Sequence, residues 1–256
     1  MPLYPEDKNG FYYFTFEGLT AVEMNSEIRA TLYMTCEGRQ YYSPTDIYSI
    51  ATYANNQIGR AANPEKLKTV CAELLRYGAL AQLYKGYRVS ARSDSAMTEE
   101  AVALLSDLET VTFQRIEGIA EDLEAPAVLW KGKALDMNTR VGLRYVVDVR
   151  GYDGDPEELS LRLTYTDSKG EERQVILEDP VEYVPGSGWY TFMYEGLYAS
   201  ELRCTLQAAV YAGEERVSQT LTYSPQTYAE NKVETLGALC RAMFAYSDSA
   251  RAYFEG

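Results

Sequence analysis

The chain has 256 residues, 46% hydrophobic and 24% charged, with a formal net charge of −14 and no histidine. This length suits one large domain or two small ones with real cores. The negative balance argues against nucleic acid and anionic membrane surfaces as partners, since both need clustered Lys and Arg, and the missing histidine removes Cys/His zinc sites and every His-based acid–base mechanism.

No apolar run is long enough to span a bilayer. The opening MPLYPEDKNG has neither a basic n-region nor an apolar h-region, so no signal peptide is expected there. Cys36, Cys71, Cys204 and Cys240 form no C-x-x-C pair. Buried thiols acting as small hydrophobes are the expectation for all four, and a disulfide is the alternative.

In chain order, FYYFTF from Phe11 reads as an aromatic strand. EIRATLYM alternates as a second strand with one buried face. The segment FEGLTAVEM between them reads as a turn, with Gly18 giving a special backbone shape and Leu19 an anchor. A hairpin then leads to a third strand ending at Tyr48, which completes strands 11–48. Ser49 suits the N-cap of a helix over about 49–58, and Asn63-Pro64 opens a second over 64–84. Residues 1–92 form the expected first unit. Residues 93–125 read as a linker with a short helix at about 98–108, capped by Thr98.

From residue 126, VLWKGKAL, RVGLRYVVDV, LSLRLTYTD and ERQVILED read as four strands separated by turns at YDGDPEE and DSKG. WYTFMY and CTLQAAVY follow, then a strand ending at Tyr223. Ser224-Pro225 is an N-cap followed by proline at the first helical position, opening a helix over about 225–254 with a break near 231–237.

The chain carries an internal repeat. FEGLTAVEM (16–24) returns as YEGLYASEL (194–202). With Phe14 on Phe192, the identities Glu17/Glu195, Gly18/Gly196, Leu19/Leu197, Ala21/Ala199 and Glu23/Glu201 follow without a gap. Ala30/Ala208 and Tyr33/Tyr211 continue them. After a gap in the hairpin, Tyr48-Ser49 meets Tyr223-Ser224 and Tyr53-Ala54 meets Tyr228-Ala229. After a second gap, Cys71 meets Cys240, Tyr77 meets Tyr246 and Gly78 meets Ser247. Gaps that fall in turns while strands and helices stay in register are what duplicated structure requires.

Residues 126–256 hold roughly seven strands and then helix, which suits an antiparallel β-sandwich, Ig-like in general architecture, with helical segments after its last strands. The expected class is α+β. The first repeat lacks the equivalents of the four early strands. An apolar face left open is unfavourable, so the chain extends upstream, strands 11–48 pack into the sheets of 126–223, or a second chain covers them as in a homodimer. A packed arrangement in one compact or dimeric particle is expected.

The order Tyr48, Ser49, Tyr53, Ala54, then Tyr77, Gly78, Ala79, Ala81, Gln82, Tyr84, matches a Tyr-Ser-Val-x-x-Tyr-Ala helix start and an Asn-Tyr-Gly-Ala-Ala-Ala-Gln-x-Tyr-Phe helix end. Tyr223, Ser224, Tyr228, Ala229, Tyr246, Ala250 and Tyr253-Phe254 match in the second unit. This resembles a repeat module of large uncharacterised secreted or surface proteins of Gram-positive gut bacteria. Ile50 and Pro225 depart from its Val, and Arg76 from its Asn. The resemblance implies a secreted or cell-surface location, from a longer precursor, and a tandem context. It attaches no catalytic residue.

Candidate sites are few. Asp153, Asp155 and Glu157 in YDGDPEE offer oxygens to calcium, against the reading of a solvated acidic turn; no other cofactor is expected. Trp130, Trp189, Tyr41 and Tyr42 are candidates for a sugar-stacking platform, against packing roles. The repeated acids Glu17/Glu195 and Glu23/Glu201 read as turn and cap residues. The expected function is a non-catalytic extracellular structural, adhesion or interaction module meeting protein or glycan at a cell surface. A carbohydrate-binding module is the alternative. A carboxylate-based hydrolase, the third reading, needs a concave pocket holding two or more unduplicated acids such as Asp136 or Asp148.

Overall fold

A computed structural model describes residues 6–9, 11–16, 18–86, 92–137 and 141–255. The protein is mixed α and β, and among the described residues every strand pairing is antiparallel and no sheet closes into a barrel.

In the N-terminal region β1 (Glu6–Lys8) and β2 (Phe11–Tyr13) form a hairpin with Asp7 opposite Tyr12. A 3-10 turn at Ala21–Glu23 leads to β3 (Ile28–Ala30), β4 (Tyr33–Cys36), β5 (Arg39–Tyr42) and β6 (Asp46–Tyr48). β3 pairs β6 and β4 pairs β5. Helices α1 (Ile50–Gly59) and α2 (Glu65–Tyr84) follow.

The segment expected to be a linker is more structured than its composition suggests. α3 covers only Glu99–Ala103, and a separate 3-10 turn capped by Asp107 covers Leu108–Thr110. The expected single helix over 98–108 is thus two short turns, because Asp107 satisfies the Glu109 amide locally. β7 (Glu117–Ile119) then joins a sheet edge, so 117–119 belongs to the C-terminal fold.

The C-terminal region holds β8 (Leu129–Asp136), β9 (Gly142–Asp148), β10 (Leu159–Thr166), β11 (Glu172–Leu177), β12 (Val181–Glu182), β13 (Trp189–Tyr194), β14 (Leu206–Ala212), β15 (Glu215–Arg216) and β16 (Leu221–Tyr223). α4 (Pro225–Asn231) and α5 (Val233–Phe254) close it, meeting at Lys232 with a further kink at Leu236. One sheet runs β11-β10-β14-β16-β7, with β15 beside β14, and the other β12-β13-β9-β8. Alternation decides which side chains face inward. Leu143, Tyr145 and Val147 of β9, Leu161 and Leu163 of β10, Phe192 of β13 and Leu206 of β14 share one buried cluster with Met243 and Phe244 of α5.

At aligned positions the two regions repeat their hydrogen bonding. Ile28 faces Tyr48 as Leu206 faces Tyr223. Tyr12 and its aligned Tyr190 each pair with the preceding short strand, opposite Asp7 and Glu182. Ser49 Oγ accepts from the Thr52 amide at 3.0 Å, and Ser224 Oγ from the Gln226 amide at 3.3 Å. α2 packs on α5, with Tyr77 stacked on Tyr246 at 6.3 Å and 11°. Tyr77 lies near Cys240 and Tyr246 near Cys71, a reciprocal arrangement of aligned residues.

Gly18 and Gly196 occupy the same turn for different reasons. Gly18 has φ +96°, a region closed to most side chains, whereas a Cβ on Gly196 would meet the Tyr194 ring at 2.5 Å. Leu19 and Leu197 are half-buried anchors.

Candidate functional site

The regions differ in what covers their strands. Among the described residues β1 to β6 pair only with one another, so they do not join the sheets of 126–223. Of the three coverings expected for strands 11–48, pairing into those sheets is thus not found among the described residues. In the C-terminal region β9 pairs β13 and β10 pairs β14.

Burial measures the consequence. Phe192, Tyr194, Val210 and Tyr223 are 2%, 6%, 0% and 2% exposed, while their aligned partners Phe14, Phe16, Leu32 and Tyr48 are 41%, 47%, 53% and 38% exposed. The backbone responds as well. β13 is extended through Tyr194 because β9 pairs it from Trp189 to Tyr194, whereas β12 reaches only Tyr190 and Thr191. Among the described residues β2 pairs with β1 alone and ends at Tyr13. β14 runs unbroken beside β10, and the aligned stretch splits into β3 and β4.

Beside the β3–β6 pair and the start of α1 lies an open cleft of about 570 Å³. Phe16, Leu19, Ile28, Tyr48, Ile50 and Tyr53 line it. In the C-terminal region the aligned Tyr194 and Tyr223 lie around Tyr145 of β9, and the Tyr194 hydroxyl meets that of Tyr165 at 2.9 Å.

The sugar platform is not assembled. Trp130 faces Val147 and Trp189 faces Asp148, consecutive residues of β9, so the two indoles project from opposite faces of that sheet. Trp130 donates Nε1–H to the Gln219 carbonyl at 2.8 Å and packs near Tyr145, a core role. Trp189 lies under the Lys131 ammonium at 4.8 Å. Tyr41 and Tyr42 sit on β5, opposite Met34 and Tyr33, and both are exposed.

The acidic loop is also local structure. Asp155 caps the 3-10 turn Pro156–Glu158 and accepts from the Glu157 amide at 3.0 Å. Asp153, Asp155 and Glu157 are not gathered into a cation cage, and no group of three or more acidic or Cys residues able to hold a metal occurs among the described residues.

The acids named for hydrolysis are separately engaged. Asp136 pairs with Arg144 and Asp148 with Arg150, whose guanidinium holds the Asp148 carboxyl down at about 2. A cleft of about 290 Å³ includes Asp136 and Arg144, and another of about 570 Å³ includes Glu195. Neither cleft is lined by a second carboxylate.

Glu23 and Glu201 do cap their turns. The Thr20 and Tyr198 amides each donate to them at 2.9 Å. Glu17 lies outside the described residues; Glu195 is exposed beside the turn. Hydrogen bonds from the Thr20 backbone and hydroxyl lower the Glu23 pKa, and burial raises that of Glu201. Cys71 and Cys240 are buried and Cys204 half-buried, with thiols pushed up to about 11 by desolvation. Cys36 is exposed, contrary to expectation, because the β4–β5 hairpin has no covering layer.

Sequence reasoning missed Ile28 and Leu32 as candidate contact residues. The available signal was their alignment with Leu206 and Val210. No protein-family model, curated protein or solved structure matches the chain. No helix among the described residues is long and apolar enough to cross a membrane.

Proposed function

We propose that the chain is an internally duplicated, non-catalytic interaction module of a secreted or cell-surface protein. Each unit is built on the same plan, an Ig-like β-sandwich back half followed by two helices, and the four early strands of the second unit have no counterpart among the described residues of the first. The exposed inner face of the first unit carries this reading: aligned side chains that are core in one unit are open in the other. Matching strand registers, helix caps and the stacking of Tyr77 on its aligned Tyr246 support the duplication. An open apolar surface of this kind usually serves binding.

A glycan array probed with the full chain tests the nature of the ligand. No saturable binding to any polysaccharide is expected. Binding abolished by Tyr41→Ala with Tyr42→Ala would replace this reading with a carbohydrate-binding module. Brief protease treatment of intact producing cells tests the location, and release of peptides from this chain is the expected result.

A further inference from the structure

We infer that the cavity of about 290 Å³ between α2 and strands β8 and β9 binds a small organic carboxylate, its anionic group on Arg144 and Lys85 and its apolar body against Ala81, Leu135 and Leu239. The inference goes beyond the interaction-module reading and does not depend on the duplication.

The cavity is built from both regions. The turn Ala21–Glu23 and helix α2 supply one side, with Val22, Ala81 and Tyr84. β8, β9, α4 and α5 supply the other, with Leu135, Arg144, Tyr228 and Leu239. α2 packs on α5 and α4 on β8, so the walls are held by packed elements. Tyr77, Tyr84 and Tyr228, from the helix motifs of the two regions, meet in this one cavity. A concave junction, mostly apolar with a few convergent polar groups, is the usual setting of a small-molecule site.

Charge selects the ligand. Arg144, Lys85 and Asp136 line the cavity, two cations and one carboxylate in a chain of net charge −14. Arg144 of β9 stands opposite Ala134 of β8, and Asp136 lies two residues further along the same face. The strand ladder thus holds the Arg144–Asp136 pair in place. Ala134 is too short to cover the guanidinium, and the Arg144 side chain stays 33% exposed. Arg144 donates to Asp136 from one terminal nitrogen. A guanidinium has further donors on its other edge, which suit a second carboxylate. Asp136 is neutralised by Arg144, so a ligand cation gains little there, whereas an anion meets two cationic side chains.

Size and wall chemistry set the rest. At about 30 Å³ per water, the volume is the share of about ten waters, room for an acid of roughly ten non-hydrogen atoms. Leu236 and Met137 extend the apolar wall, so the body beside the carboxylate is apolar.

Three ligands of similar shape test this on the full chain: phenylacetate, phenylacetamide and phenethylamine, which are anionic, neutral and cationic. Alanine and leucine methyl signals are followed by NMR titration, and melting temperature checks the folding of each variant. Phenylacetate is expected to bind saturably and to move the methyls of Ala81, Leu135 and Leu239, leaving those of Leu161 in the sandwich core unmoved. The amide should bind at least tenfold more weakly, and the amine not at all. Arg144→Gln should weaken phenylacetate at least tenfold. Lys85→Gln, at an exposed position, should weaken it about threefold, the worth of an exposed ion pair. Asp136→Asn removes the competing carboxylate and should leave the affinity equal or raised.

No saturable binding of phenylacetate, equal binding of the amide or the amine, or shifts confined to methyls outside the cavity would each overturn the inference. So would an affinity unchanged by both Arg144→Gln and Lys85→Gln. Weaker phenylacetate binding in Asp136→Asn would also overturn it, by making the carboxylate the binding group. If Arg144→Gln melts far below the parent chain, the charge series and the other two variants decide. Failure here leaves the duplicated interaction module standing.

Discussion

The N-terminal and C-terminal regions share a plan and differ in what surrounds it. Ile28 and Leu206 occupy aligned positions and face aligned tyrosines, yet Leu206 is fully buried and Ile28 borders an open cleft. The lesson is that local hydrogen bonding and core formation are separable. Turn, cap and short hairpin form from nearby residues, whereas a long continuous strand and a dry interior need a second layer. β13 and β14 are long because β9 and β10 lie beside them.

The largest expected effect sharpens that difference in burial. Leu206→Ala should cost about 3 kcal/mol in urea unfolding, from lost transfer energy plus a cavity. Ile28→Ala should cost under about 1 kcal/mol, because solvent already reaches the site. Equal costs would break the contrast.

The helix pair gives the next effect. A Cβ on Gly78 would lie 2.3 Å from Met24 Sδ, and Met24 is 3% exposed, so it must repack. Gly78→Ala should destabilise by about 1–2 kcal/mol despite its gain in helix propensity. Ser247→Ala, at the aligned position, should stay within about 1 kcal/mol. A Met24→Leu background that changes the Gly78→Ala cost would identify Met24 as the obstacle.

The caps should behave alike. Ser49→Ala and Ser224→Ala should each cost about 1 kcal/mol, since both hydroxyls accept a helix N-terminal amide. A cap effect in only one region would show that the shared local plan is superficial.

The smallest effect concerns pH. Glu23 has a lowered pKa, so its stabilising contribution is present above the ordinary value of 4.5 and lost as pH falls through the lowered one. Glu201 has a raised pKa, so its contribution is full below 4.5 and lost as pH rises through the raised one. Melting temperatures between pH 3 and 7 should therefore move in opposite senses when Glu23→Gln and Glu201→Gln are each compared with the parent chain. The same residue in the same turn then reports opposite environments.

Much of this was legible in sequence. Ser49 and Ser224 announced helix starts, and Glu23 and Glu201 announced capped turns, because these signals act over three or four residues. The helix break near 231–237 was legible from the shorter connection in the second repeat. β7 was not, since a three-residue edge strand has too little alternation to stand out and exists only because β16 is there to pair it. The candidate platform failed for a similar reason: whether Trp130 and Trp189 share a face depends on their register against β9, and composition carries no register.

The sequence by itself determined the repeat alignment, the caps, the antiparallel strands with their helices and the absence of histidine chemistry. All of these are local or compositional. Only the tertiary structure decided which stretch buries its strand residues, since the helices of both are packed. Phe14 and Phe192 read the same in sequence, and the hydrophobic effect acts on area removed from water, which depends on the strands that arrive from elsewhere in the chain. For Phe192 these are β9 and its neighbours; at Phe14 the facing edge is open.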